Sequence, residues 1–109
     1  MTDEIIFGKP HPEAEKRNSI IAYVENADGA KVLTLNWGER LGGYLLVGGG
    51  IDGDEDPKTT AIREIKEETG YTDLEFVVAL PQKITNNYFA ASKNVWRTIS
   101  ITALAFRLK

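Results

Sequence analysis

Apolar residues along this chain mostly fall in short β-prone runs or alternate with polar ones, and a single stretch carries helical spacing and helix punctuation. Residues 18–24 (Asn-Ser-Ile-Ile-Ala-Tyr-Val) read as a strand. A turn at Asn26-Ala27-Asp28-Gly29 leads to a second strand over 31–37, so the two together predict a hairpin. After Gly42-Gly43 a strand over 44–47 runs directly into Gly48-Gly49-Gly50, where the missing side chains permit close backbone approach. The helix is predicted over 57–69, with Asp56 as N-cap, Pro57 at its first position and Gly70 just past its end. Three more strands follow over 74–80, 83–89 and 96–108, the last with Ile99, Ile101, Ala103 and Ala105 on one face. Residues 1–17 are polar and broken by Pro10-His11-Pro12, which predicts an N-terminal arm or a short edge strand. The pattern predicts an α/β (α+β) protein: a mixed β-sheet with one loop-helix unit packed on it.

At 109 residues the chain has room for one core, so residues 1–109 are read as a single domain. The final predicted strand has no helix after it to cover the sheet. That pattern implies a truncated chain or a partner that supplies the layer, and a second copy of the chain is admitted as a partner. The net charge of −3 offers no bulk attraction to nucleic acid or anionic lipid. Apolar runs fall short of the ~18 residues that span a bilayer, and the start Met1-Thr2-Asp3-Glu4 lacks the basic residues of a secretion signal. Cytoplasmic residence without membrane attachment is the expectation. Without cysteine there is no thiolate site, so a metal would be held by oxygen or by the lone His11.

Charge becomes informative when it is divided. Residues 52–68 hold seven acids and three bases, whereas the other residues together carry +1. Like charges this close repel unless something compensates them. Gly48, Gly50 and Gly53 fit the dinucleotide fingerprint in spacing, but Asp52, Asp54, Glu55 and Asp56 crowd the place where a pyrophosphate would rest on the helix. A P-loop fails because Gly53 is followed by Asp54. A calcium loop starting at Asp52 fails because Pro57 stands where glycine is required and Arg63 where a bidentate Glu is required.

A longer pattern does fit. From Gly49 the chain reads Gly, five residues, Glu55, seven residues, Arg63-Glu64-Ile65, one residue, Glu67-Glu68, one residue, Gly70-Tyr71. This resembles the Nudix box, with Tyr71 the only loose position, and the strand order around it resembles the family over residues 18–108. The residues themselves agree. At ~100° per residue Glu64, Glu67 and Glu68 span one helix face, while Ala61, Ile62 and Ile65 fall on the neighbouring, packing face. Three clustered carboxylates call for a divalent cation, and hard oxygen ligands select Mg²⁺ or Mn²⁺.

The resemblance implies a hydrolase that cleaves the diphosphate linkage of a nucleoside diphosphate joined to another group, by attack of water on phosphorus. It implies Glu64, Glu67 and Glu68 as metal ligands, with the Gly49 carbonyl beside them. One of the three glutamates serves as general base, and the sequence leaves open which. Arg63 is read as orienting the carboxylates through an ion pair with Glu55, which requires the bidentate guanidinium fork. Tyr88 lies seventeen residues past Tyr71. Relatives acting on dinucleoside polyphosphates often carry a tyrosine near that offset, which marks it as a substrate-binding candidate. The proline that marks many ADP-ribose hydrolases is absent, with Asn86 and Asn87 in that region. No acid follows Glu75, so the downstream glutamate of many relatives is missing. His11 is read as an exposed polar residue, and Trp37, Phe89 and Trp96 as core aromatics. The alternative reading is a non-catalytic nucleotide-binding module, or a fragment of a larger protein such as an aminoacyl-tRNA synthetase.

Overall fold

The computed structural model describes residues 4–36, 38–39 and 43–109. Its elements in chain order are β1 (Glu4–Phe7), β2 (Glu15–Glu25), β3 (Leu35–Asn36), β4 (Tyr44–Leu45), β5 (Val47–Gly50), α1 (Pro57–Thr69), β6 (Leu74–Ala79), β7 (Lys83–Ala90) and β8 (Val95–Leu108). The main sheet has the order β1-β7-β8-β2-β5. Its spine is β8, which runs parallel to the whole of β2 along one edge. Along the other edge its first half pairs antiparallel with β7 and its second half with β6. A chain that leaves β6 must therefore turn at Leu80-Pro81-Gln82 and return as β7, because one long strand serves both.

Alternation along β2 and β8 sorts their side chains into two faces. Ile20, Ala22 and Val24 of β2 stand beside Thr102, Leu104 and Phe106 of β8 on the face that α1 covers. With Val47 of β5 and Ala61 and Ile65 of α1, the apolar members of this group form the buried core. Full burial of a side chain such as Ile20, Ile65 or Phe106 contributes ~1.5–3 kcal/mol. The edge ring of Phe76 on β6 stands against Phe106 at 5.6 Å between centroids and extends the same cluster.

Several expectations from the sequence are corrected. The predicted hairpin of 18–24 with 31–37 reduces to one isolated bridge, Glu25 to Val32, because β2 takes β8 and β5 as its neighbours instead. Pairing with β8 also draws β2 back to Glu15, while β1, parallel to β7, is the short edge strand that is one of the two readings of residues 1–17. The 44–47 strand breaks at Leu46, since Tyr44–Leu45 pairs with β3 and Val47 to Gly50 with β2. On β8 the helix-covered face belongs to Leu104 and Phe106, and of the four residues singled out on the opposite face only Ala103 is buried. On α1, Ile62 is exposed and Thr60 is fully buried in its stead. Trp37 and Gly42 lie outside the described residues.

Candidate active site

The helix that carries the acids is fixed at both ends by the residues that predict it. The Asp56 carboxylate accepts hydrogen bonds from the backbone N–H of Lys58 at 3.1 Å and of Thr59 at 3.3 Å, Pro57 opens the first turn, and Gly70 closes the helix at φ +83°. The Gly70 N–H donates back to the Lys66 carbonyl. With Ala61 and Ile65 clamped to the sheet, the neighbouring face carrying Arg63, Glu64, Glu67 and Glu68 is set against β5 and the loop that precedes the helix.

Arg63 is the centre of that face. Its guanidinium grips Glu55 through two bonds, Nη2 to Oε1 at 2.9 Å and Nε to Oε2 at 3.3 Å, the bidentate geometry that lysine cannot make. The buried Thr60 hydroxyl donates to the same Glu55 carboxylate at 2.5 Å. Hydrogen bonding from Arg63, seconded by Thr60, pulls the Glu55 pKa from 4.5 down to about 2. The Arg63 pKa is raised in turn, first by the Glu55 hydrogen bond. Nη1 reaches Glu64 at 2.9 Å and Glu67 at 3.5 Å, and Nη2 reaches Asp52 at 3.4 Å. One cation thus offsets four carboxylates. Asp52 and Thr60 are members of this network that sequence reasoning missed, and the only available hint was the acidic window itself.

Gly49 lies beneath Glu64. A Cβ at this position would stand 2.6 Å from Glu64 Oε1 and collide with its carboxylate carbon, so a side chain there would displace the Glu64 carboxylate. Glu68 lacks any such support. Its Oε2 is buried with no hydrogen-bond partner. Desolvation, then repulsion by Glu64 and Glu67, raises its pKa above 4.5. Among the described residues no three acids or histidines stand together as a finished metal cage. The reason is visible: Glu64 and Glu67 face Arg63 while Glu68 stands apart from it. Even so, the donor set fits a hard divalent cation, because a buried carboxylate oxygen without a partner sits on the helix face of two further carboxylates.

The structure therefore brings Gly49, Glu55, Arg63, Glu64, Glu67 and Glu68 together. Tyr88 stays apart: it pairs with Arg97, and alternation points it to the sheet face away from α1. Phe89 and Trp96, read from sequence as core, are 44% and 39% exposed. His11 is half-buried and stacks on Trp96, with ring centroids 4.7 Å apart and planes within 3°. A groove of about 520 Å³ opens beside the loop before the helix, lined by Asn18, Gly53, Glu55, Lys83 and Thr102 among others.

The model of the NUDIX domain matches residues 15–106, which take in the main sheet except β1 and the last two residues of β8, and the whole network around Arg63. The chain belongs to the Nudix family. Nudix hydrolase 25 of Arabidopsis thaliana is 40% identical over 52 residues, which cover 48% of this chain and 30% of that protein. Nudix hydrolase 26, chloroplastic, of the same plant is 31% identical over 77 residues, covering 71% and 35%. An RNA pyrophosphohydrolase of Acidiphilium cryptum is 42% identical over 45 residues, covering 41% and 27%. The matches thus span about a third or less of these relatives' length. The crystal structure of MutT protein from Methanosarcina mazei Go1 superposes with a TM-score of 0.59 at 24% identity, over 91% of this chain and 67% of that one, and so shares the Nudix fold. No helix among the described residues is long and apolar enough to cross a membrane.

Proposed function

We propose that this Nudix domain, read as one unit over residues 1–109, hydrolyses the diphosphate linkage of a small nucleoside diphosphate derivative by attack of water on phosphorus. The observation that carries the reading is the partnerless buried Oε2 of Glu68 beside Glu64 and Glu67, a donor set short of one cation. Glu64, Glu67 and Glu68, with the Gly49 carbonyl, would hold Mg²⁺ or Mn²⁺. The chemistry supplied by that bound ion is neutralisation of charge on the diphosphate and a lowered pKa for the attacking water. The chain's own residues do the rest. One of the three glutamates takes the water's proton, and Arg63, braced on Glu55, keeps Glu64 and Glu67 in place. Nothing in this scheme needs a covalent intermediate. The expected setting is cytoplasmic, with no membrane partner.

A second reading, a nucleotide-binding module without turnover or a piece of a larger protein such as an aminoacyl-tRNA synthetase, is favoured by one observation: Arg63 engages both Glu64 and Glu67. One assay separates the two. Nucleotide and phosphate release is followed from nucleotide sugars, ADP-ribose, nucleoside triphosphates and diadenosine polyphosphates, with and without Mg²⁺, beside Glu68→Gln. Metal-dependent turnover lost in Glu68→Gln is the expected result. Turnover on no member of the panel, with nucleotide binding intact, would establish the module instead.

A further inference from the structure

The sheet face away from α1 has no cover among the described residues, and the strand registers order it into rows. Glu15, Arg97 and Tyr88 form the first row, and Glu25, Arg107 and Glu75 the last. Between these ends the side chains are mostly apolar. Ile84 and Ile5 continue the row of Ile101, Ile21 stands beside Ala103, and Tyr23 and Val78 flank Ala105. Ile5, Tyr23 and Val78 are 41–43% exposed, and none of these residues belongs to the core under the helix. On the helix side the uncovered positions turn polar, at Lys16, Asn18 and Ser100. On this side they stay apolar across the sheet, which marks an interaction surface.

The dimensions and charges of the face point to its occupant. From Glu15 to Glu25 it is ~33 Å long, and the strands β1-β7-β8-β2-β5 make it ~19 Å wide. One docked helix, ~10 Å across, would cover about half of that width. A second sheet matches it, and the ~600 Å² of projected area is of the order of the ~800 Å² that each partner contributes to a standard interface. Toward the first row Glu15 is set against both Arg17 and Arg97, at 2.6 and 3.3 Å, which leaves one positive charge in surplus. In the last row Glu25 and Glu75 are set against Arg107 alone, which leaves one negative charge in surplus. Two copies packed face to face with strands reversed bring each surplus over its opposite, whereas strands in the same direction would set like over like. The reversed arrangement also fits in shape. Its twofold axis passes at the level of Thr102, midway between Arg97 and Arg107, so Ile101 of each copy stands over the small Ala103 of the other. Aligned sheets cross at ~30°, which shifts the ends sideways by about a strand or more and sets Arg97 over Glu25 or Glu75 of the second copy.

We infer that the sheet face opposite α1 is a self-association surface, on which two copies of the chain pack with their strands reversed. The resulting dimer is layered helix, sheet, sheet, helix, and leaves both boxes on its outer sides. The inference does not depend on the hydrolase reading of the box.

Sedimentation velocity of the full chain tests it. Wild type is expected at twice the 12.1 kDa chain mass at ~50 µM, since interfaces of this size dissociate in the micromolar range or below. Tyr23→Lys/Val78→Lys sets lysines on both sides of the interface, at positions exposed in a single copy, and should raise the dissociation constant at least ~100-fold with the far-ultraviolet circular dichroism retained. Glu75→Arg gives both ends a positive surplus and should weaken the dimer about tenfold. Arg17→Glu/Glu75→Arg exchanges the two surpluses and should restore it. Because the chain has no cysteine, Ser19→Cys on the open face should be joined to its twin by a short bismaleimide, and Lys16→Cys on the helix side should not. A folded chain that stays monomeric at the same concentration would overturn the inference and leave the face to a partner of another sequence. A dimer indifferent to Tyr23→Lys/Val78→Lys would overturn it as well, and one weakened by Glu75→Arg but not restored by the exchange would overturn the reversed arrangement.

Discussion

The two halves of one sheet face differ in what holds them. Under α1 the face is dry, with Ile20, Val24, Val47, Leu104 and Phe106 closed by Ala61 and Ile65. Beyond the helix the same strands carry Lys16, Asn18, Thr98 and Ser100, all polar and accessible to solvent. In the first half packing fixes a helix so firmly that its next face can carry three mutually repelling acids, Glu64, Glu67 and Glu68. In the second half no helix packs, and the polar residues Lys16, Asn18 and Ser100 are free to be chosen for what they touch. The difference teaches that the charge cluster is sustained by burial on the adjacent helix face together with the part-buried, bidentate Arg63–Glu55 pair.

That contrast can be broken at several points. Ile65→Ala should destabilise the protein by about 2–5 kcal/mol in denaturant unfolding, whereas Ser100→Ala on the open half should change stability by less than ~0.5 kcal/mol. Comparable losses at both positions would erase the distinction. Arg63→Lys keeps the charge but loses the fork, so hydrolysis should drop ~10–100-fold with little change in melting temperature. Acid titration probes the same network. The Glu55 pKa is depressed from 4.5 to about 2, so the stability it contributes is fully present above pH 4.5 and is lost as pH falls through about 2. The stability gap between wild type and Glu55→Gln should accordingly be constant above pH 5 and close across that window. A gap independent of pH would show that the ion pair contributes nothing. The smallest effect has the opposite sign. Glu68 is raised above 4.5, so its charged form penalises the folded state increasingly as pH rises through its folded value. Without metal at neutral pH, Glu68→Gln should therefore be more stable than wild type by about 0.5 kcal/mol, and the gain should vanish below pH 4.5.

The helix and its acids were legible because their signals are local. Asp56, Pro57 and Gly70 specify a helix end to end, and the box spacing needs no knowledge of the sheet. What was not legible depends on partners far along the chain. Nothing in residues 18–24 says that their neighbours are 100–106 and not 31–37, so the hairpin was the cheaper reading and the wrong one. Helical periodicity put Ile62 inside, but the bond from Thr60 to Glu55 rotates the buried stripe toward Thr60. Phe89 and Trp96 look like core residues in any strand, and only the place where the helix stops leaves them exposed. The Arg63 to Glu55 pair was expected from spacing, whereas the reach of Arg63 to Asp52, Glu64 and Glu67 follows from the turn that folds the loop back over the helix.

The central claim is that the acids gathered around Arg63 and Glu68 form a divalent metal site. The most direct measurement is a Mn²⁺ titration of the full chain, with the free ion followed by electron paramagnetic resonance. Wild type should bind Mn²⁺, and Glu68→Gln should bind it at least ~10-fold more weakly. Equal binding by the two proteins, or no binding by either while both remain folded, would contradict it.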